Sequence, residues 1–259
     1  MIVAIYSGLD VLLPFSWLDH NFMKNALLAV LLVTPLFGLL STMVVSSRMA
    51  FFSDSLGHGA FTGIALGAIL GLSSPLFSLA AFSVIFALFI TYIKNRSNAS
   101  TDTVIGVFSS TAIAAGLMIM SQGGGFNKFS AYLIGDILSV APEDLAALAM
   151  VFLVVAAAWA ALFVESAFAA LLAVVVAVSI QWVGLLIINS LLVLPAATAR
   201  NVAASVKQYH AVSVGTALFS GVTGLALAYY FNMAAGATIV VVAAAIFFVT
   251  LAFKESFRR

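Results

Sequence analysis

The chain has 259 residues, 64% of them hydrophobic and only 7% charged, with a mean hydropathy of +1.22. A soluble domain carries about 25% charged residues, so this composition excludes one. A net charge of +1 gives no electrostatic footprint for a nucleic-acid partner, and the absence of cysteine excludes disulfides, thiolate metal sites and thiol catalysis.

Apolar runs close to the length of a bilayer crossing recur along the chain, which defines an all-α, polytopic membrane protein with about eight long helices plus broken or re-entrant pieces. Residues 1–22 mix apolar residues with Asp10, Pro14, Asp19 and His20, and Trp17 lies among them as an interfacial aromatic would. They lack the basic start and small-residue cleavage site of a signal peptide, so they read as an interfacial or partly embedded lead-in, with His20 a solvated loop histidine. Spans are predicted over 25–47, closed by Arg48, over 56–72, and over 75–93, closed by Lys94-Asn95-Arg96. The next runs over 103–120, entered through Asp102 and left through the flexible Gly123-Gly124-Gly125. Residues 131–140 are too short to cross and carry Gly135-Asp136, a re-entrant or interfacial piece.

The span over 142–163 opens on Pro142, Glu143 and Asp144, since proline suits the first turn and acids its positive end. A sixth span covers 167–188 and runs into 191–200, a segment of half-membrane length that fits a broken or returning helix. Spans over 211–231 and 235–253 complete the set, followed by the basic tail 254–259. With Arg48 cytoplasmic, the alternation also places Lys94, Arg96, Arg200, Lys207, Lys254, Arg258 and Arg259 inside, as the positive-inside rule requires, with the amino terminus outside. Lys24 and Lys128 are the exceptions.

An ionisable group in a membrane segment costs at least about 2.5–3.5 kcal/mol at the bilayer centre. Asp54 and His58 stand four residues apart at the head of the second span, on one helical face if the helix has begun by Asp54. A carboxylate oxygen with an imidazole nitrogen suits Zn(II), Mn(II) or Fe(II), and without cysteine there is no soft Cu(I) site. Two ligands are not a full shell; other helices, waters or a second copy of the chain would supply the rest. The alternative is structural: Ser53 or Asp54 caps the helix and His58 bonds to a neighbouring helix. The repeat Gly59-x-x-x-Gly63-x-x-x-Gly67-x-x-x-Gly71 lines one face with almost no side chain, for close helix packing, for lining a pathway, or for both.

Asp102 reads as a helix cap and a weaker metal candidate. Asp136 either lines an outer vestibule, as another weak candidate, or satisfies a re-entrant backbone. Gln181 and Asn189 are expected to bond backbone groups freed near Pro195. Glu165 reads as interfacial and His210 as a surface residue. No phosphate-binding loop, zinc-protease helix or nucleophile elbow is present, so the chain is not expected to be an enzyme, and any coupling to ATP resides on another chain.

The run Arg48-Met49-Ala50-Phe51-Phe52-Ser53-Asp54-Ser55-Leu56-Gly57-His58-Gly59-Ala60-Phe61-Thr62-Gly63-Ile64-Ala65-Leu66-Gly67 resembles the signature of the permease subunits of bacterial zinc/manganese/iron ABC importers, the metal ABC-3 family. Further likenesses follow in the same order: Asp102-Thr103-Val104-Ile105-Gly106, Tyr132-Leu133-Ile134-Gly135-Asp136-Ile137-Leu138, Val183-Gly184-Leu185-Leu186, and Leu191-Leu192-Val193-Leu194-Pro195-Ala196-Ala197-Thr198-Ala199-Arg200. The run 135–144 is most similar to the zinc branch. The resemblance implies a single transmembrane permease domain over 1–259 in a bacterial inner membrane, a homodimer of the type II importer fold related to the cobalamin and siderophore importers. An extracytoplasmic metal-binding protein would feed it and separate ATPase subunits would drive it. No cofactor is held permanently, and Asp54 and His58 match the motif's carboxylate and histidine on the metal path.

Two departures stand out. Gly57 occupies a position where the family often has Ser or Ala, so the hydroxyl that a Ser supplies there is missing. Members also carry, between the fifth and sixth spans, a polar cytoplasmic segment resembling a coupling helix, whereas here Trp159-Ala160-Ala161-Leu162-Phe163 runs almost directly into Glu165-Ser166-Ala167-Phe168. The alternative functions are therefore an ATP-independent carrier or cation pore, a coupling-defective relative of the permeases, or a membrane scaffold that transports nothing.

Overall fold

The computed structural model describes residues 2–72, 74–123, 135–161 and 165–257. Among these residues the regular structure is helical throughout: α1 Ile2–Leu12, α2 Asn21–Ser46, α3 Phe52–Ile69, α4 Pro75–Arg96, α5 Thr101–Gly123, α6 Pro142–Ala161, α7 Glu165–Val183, α8 Leu185–Leu191, α9 Leu194–Val202, α10 Val206–Phe231, α11 Ala235–Ala252 and α12 Lys254–Phe257. Single 3-10 turns cover Ser16–Leu18 and Ile137–Ser139. Among the described residues seven stretches, one of them Leu185–Val202, which joins α8 and α9, are long and apolar enough to cross a membrane. The chain is a multi-pass membrane protein.

The predicted elements are present with shifted bounds. The lead-in is mostly helix, and α2 starts at Asn21 rather than 25. The span expected over 167–188 is broken: Gly184 takes φ +85°, a left-handed backbone that glycine adopts without a Cβ clash, so α7 ends at Val183 and α8 restarts at Leu185. The piece expected over 191–200 is mostly a separate short helix, α9, which follows α8 after a turn at 192–193. For the re-entrant piece, 131–134 lie outside the described residues, as do Gly124 and Gly125; 135–140 form a short turn.

Three helices end by one device. Arg48, Gly71 and Asn232 have φ of 55°, 68° and 51°. In each case the following amide reaches back to close the last turn: Met49 N to Val44 O at 2.9 Å, Leu72 N to Gly67 O at 2.9 Å, Met233 N to Ala228 O at 2.9 Å. This is the Schellman arrangement, usually made with glycine at the left-handed position.

The described residues fall into two compact units. One comprises Met1–Met43, Asp136–Val154 and Ser190–Arg259. Within it α10 packs on α9 and α11. Gly38 lets α2 approach α10 so closely that a Cβ there would lie 2.9 Å from Val214 Cα, and Ser213 Oγ donates to Gly38 O at 2.7 Å. Small residues and hydroxyls at a tight helix crossing are how helices associate where lipid removes the hydrophobic drive. Ser41, fully buried, accepts from the first-turn amide of Ala196, capping α9 where its own N-cap residue Val193 offers no side-chain bond.

The other unit comprises Val44–Gly135 and Val155–Asn189. Here α3 packs on α4, α5 and α7, and α4 on α7 and α5. The glycine repeat of α3 is a packing face: a Cβ at Gly63 would meet Phe82 Cβ at 2.7 Å, one at Gly67 would meet Ser78 Oγ at 2.1 Å, and Phe82 and Phe86 cover Gly59. On the side toward α5, Thr62 Oγ1 donates to Ala112 O.

Candidate metal centre

The site begins where α2 ends. The left-handed turn at Arg48 and the bond from Phe52 N to Met49 O, 2.9 Å, turn the chain into α3, whose N-cap Phe51 offers no side-chain bond. Helix geometry therefore already holds at Asp54, in the first turn, where the positive end of the helix favours a carboxylate. Neither Ser53 nor Asp54 is the cap.

One turn on, His58 Nε2 lies 3.5 Å from Asp54 Oδ1. That is too long for a good hydrogen bond and close to the separation of two ligands on one ion. Donors about 2.1 Å from a tetrahedral cation stand about 3.4 Å apart. The His58 side chain is 41% exposed and that of Asp54 46%, so both side chains are accessible to an arriving cation.

The helix break brings a third side chain. Leu185, the first residue of α8, lies against Gly57, where a Cβ would fall 2.0 Å from Leu185 Cδ1. One turn on along α8 and one turn back along α3, Asn189 Nδ2 donates to Asp54 Oδ1 at 2.7 Å. The expectation that Asn189 serves freed backbone is thus corrected: its amide is turned to the acid. Nothing local in the sequence links positions 54 and 189, so the pairing was invisible there. Asn189 Oδ1, Ser53 Oγ and Ser55 Oγ are buried and have no hydrogen-bond partner.

The other sequence candidates have separate uses. No group of three His, Asp or Glu side chains converges among the described residues, so Asp102 does not extend the pair within its unit. It is not the cap of α5 either: Ser100 Oγ accepts from Thr103 N at 3.2 Å, leaving Asp102 in the first turn. Asp136, in the other unit, caps the turn Ile137–Ser139 by accepting from Leu138 N at 3.0 Å. His20 stacks on Phe22 with ring centroids 5.6 Å apart and faces Tyr229, at a cavity of about 330 Å³ that Met23, Asn232 and Met233 also line. His210 is half-buried beside Tyr209.

Fold, composition and the exposed carboxylate–imidazole pair define a multi-pass helical membrane protein with polar chemistry at the head of one helix. The chain belongs to the ABC 3 transport family, which it matches over residues 19–163 and 157–254. It is 33% identical to the uncharacterized membrane protein slr2045 of Synechocystis over 92% of each chain. It is 29% identical to the manganese import system permease protein ScaB of Streptococcus gordonii, over 90% of this chain and 91% of that one. Among solved structures it resembles PsaBC from Streptococcus pneumoniae in complex with Fab, with a TM-score of 0.71, 27% identity, and coverage of 96% of this chain and 95% of that one. The family match falls into two pieces that overlap over residues 157–163, at the end of α6. The Synechocystis alignment runs to 262 positions while covering 92% of a 259-residue chain, so it opens gaps in this chain.

Proposed function

We propose that this chain is the membrane-spanning permease subunit of an ATP-driven importer of divalent transition-metal ions, Zn(II), Mn(II) or Fe(II), with Asp54 and His58 on the ion's path. The observation that carries the reading is the 3.5 Å spacing of an exposed carboxylate and imidazole on one helical turn, in a member of the ABC 3 transport family. The ion enters partly dehydrated, takes Asp54 Oδ1 and His58 Nε2 as two ligands in place of waters, and leaves when the pair can no longer complete its shell. ATP hydrolysis belongs to a separate ATPase subunit, an extracytoplasmic metal-binding protein delivers the ion, and two copies of the chain form the passage. The amino terminus is outside the bacterial cell membrane and the basic carboxyl end inside. The likeness of 135–144 to the zinc branch leans the cargo toward zinc.

A second reading, an ATP-independent carrier or pore, is favoured by one feature, the short junction between α6 and α7 at which the family match divides. Metal uptake into proteoliposomes, with and without the ATPase and ATP, separates the two. The importer reading expects ATP-dependent uptake that is lost in Asp54→Ala and His58→Ala. Flux of equal rate without ATP contradicts it, and uptake that survives both substitutions removes the pair from the path.

A further inference from the structure

Asn189 presents both ends of its amide at the site. Nδ2 donates to Asp54 Oδ1 at 2.7 Å, the same oxygen that lies 3.5 Å from His58 Nε2. Its own Oδ1 is buried and has no hydrogen-bond partner. A buried acceptor without a partner is destabilising, a cost that packing alone does not explain. The approach is also built into the backbone: Gly184 at φ +85° ends α7, and Gly57, with no side chain, seats Leu185 and brings α8 against α3.

We propose that Asn189 is a third ligand of the cation site and sets its preference between divalent metals; this rests on the reading of Asp54 and His58 as the metal path. With no cation on Asp54, only the amide NH2 can face the carboxylate, because carbonyl and carboxylate oxygens repel. A cation on Asp54 Oδ1 reverses that: it repels the NH2 and attracts the carbonyl. A half-turn about χ2 exchanges the two ends, so that Asn189 Oδ1 joins Asp54 and His58 on the ion. The donor set becomes carboxylate oxygen, amide oxygen and imidazole nitrogen. A site of one carboxylate and one imidazole binds Zn(II) more tightly than Mn(II), whereas carbonyl oxygens suit Mn(II). The amide oxygen therefore raises Mn(II) binding relative to Zn(II).

The test is calorimetric titration of the purified full chain in nanodiscs with MnCl2 and, separately, with ZnCl2. Asn189→Leu, close in volume, removes both ends of the amide, and is expected to weaken Mn(II) binding about tenfold or more while Zn(II) changes much less. Asn189→Asp keeps an oxygen and loses the NH2, and is expected to retain Mn(II) binding. Equal losses of both metals in Asn189→Leu, or a Mn(II) loss in Asn189→Asp as large as in Asn189→Leu, overturns the ligand role. Asp54→Ala keeps the two ideas apart. Full metal binding by that variant defeats the site itself, whereas its loss alongside an unchanged Asn189→Leu defeats the Asn189 assignment alone. Gel-filtration profile and melting temperature report whether each variant is folded, and Asn189→Asp carries the test should Asn189→Leu not be.

Discussion

Lys24 Nζ lies 2.6 Å from Asp10 Oδ1, and the two ends of this ion pair differ sharply in burial: the lysine side chain is 7% exposed and the aspartate 52%. The pair fastens α1 to the start of α2, with Lys24 also 5.7 Å from the centre of the Tyr6 ring and Tyr6 donating to Asn25. The asymmetry predicts unequal mutants. Asp10→Asn strands a buried ammonium and should destabilise by about 1–3 kcal/mol, below the about 3–5 of a fully buried pair because Asp10 is half in water. Lys24→Met strands only an exposed carboxylate and should cost under about 1 kcal/mol. Thermal unfolding in detergent measures both, and the double variant should recover most of the Asp10→Asn loss. A neutral Asp10→Asn would contradict the account.

Two glycines at the edges of the site should respond in opposite ways to the same added methyl group. At Gly135 a Cβ would lie 2.0 Å from Ile180 O and 2.8 Å from Gly184 N, both backbone atoms at the helix break. Backbone cannot step aside without moving the end of α7, so Gly135→Ala should unfold locally or lower the yield of folded protein severely. At Gly57 the obstacle is the tip of the Leu185 side chain, which can rotate. Gly57→Ala should therefore fold, at a cost of about 1–3 kcal/mol. Expression and melting temperature in detergent check the contrast; equal effects at both positions would mean that the approach of α8 to α3 is looser than described.

The sequence made local relationships legible and left tertiary ones hidden. Asp54 and His58 share a helix turn, so spacing alone brings them together, and the glycine repeat of α3 announces a close neighbour without saying that Phe82 and Ser78 belong to it. Asn189 reaches Asp54 only because Gly184 takes a positive φ, and a glycine inside an apolar run gives no sign of which conformation it will adopt. The helix ends illustrate the same limit. Gly71 is where a left-handed residue is expected and Asn232 is a type that tolerates that conformation, but Arg48 adopts it too, at a cost of about 1–2 kcal/mol. Residue type alone makes Asp102 a cap, yet Ser100, two positions earlier, holds that bond.

The junction between α6 and α7 supports the last prediction. Ala161 ends one helix and Glu165 begins the next, so three residues join them, and a link from 161 to 165 can reach at most about 14 Å even fully extended. A separate docking helix of even two turns does not fit in that length. If the permease is driven by an ATPase, force must then pass through other connections, such as the turn between α4 and α5, and each hydrolysis event should move fewer ions than in a permease with a longer link. Inserting a relative's polar segment between Phe163 and Glu165 is expected to raise the ratio of metal imported to ATP hydrolysed in proteoliposomes. Metal affinity should stay unchanged, because Asp54, His58 and Asn189 lie on helices that the insertion leaves intact. An unchanged transport ratio with the ATPase still bound would show that the short link transmits the stroke as it stands.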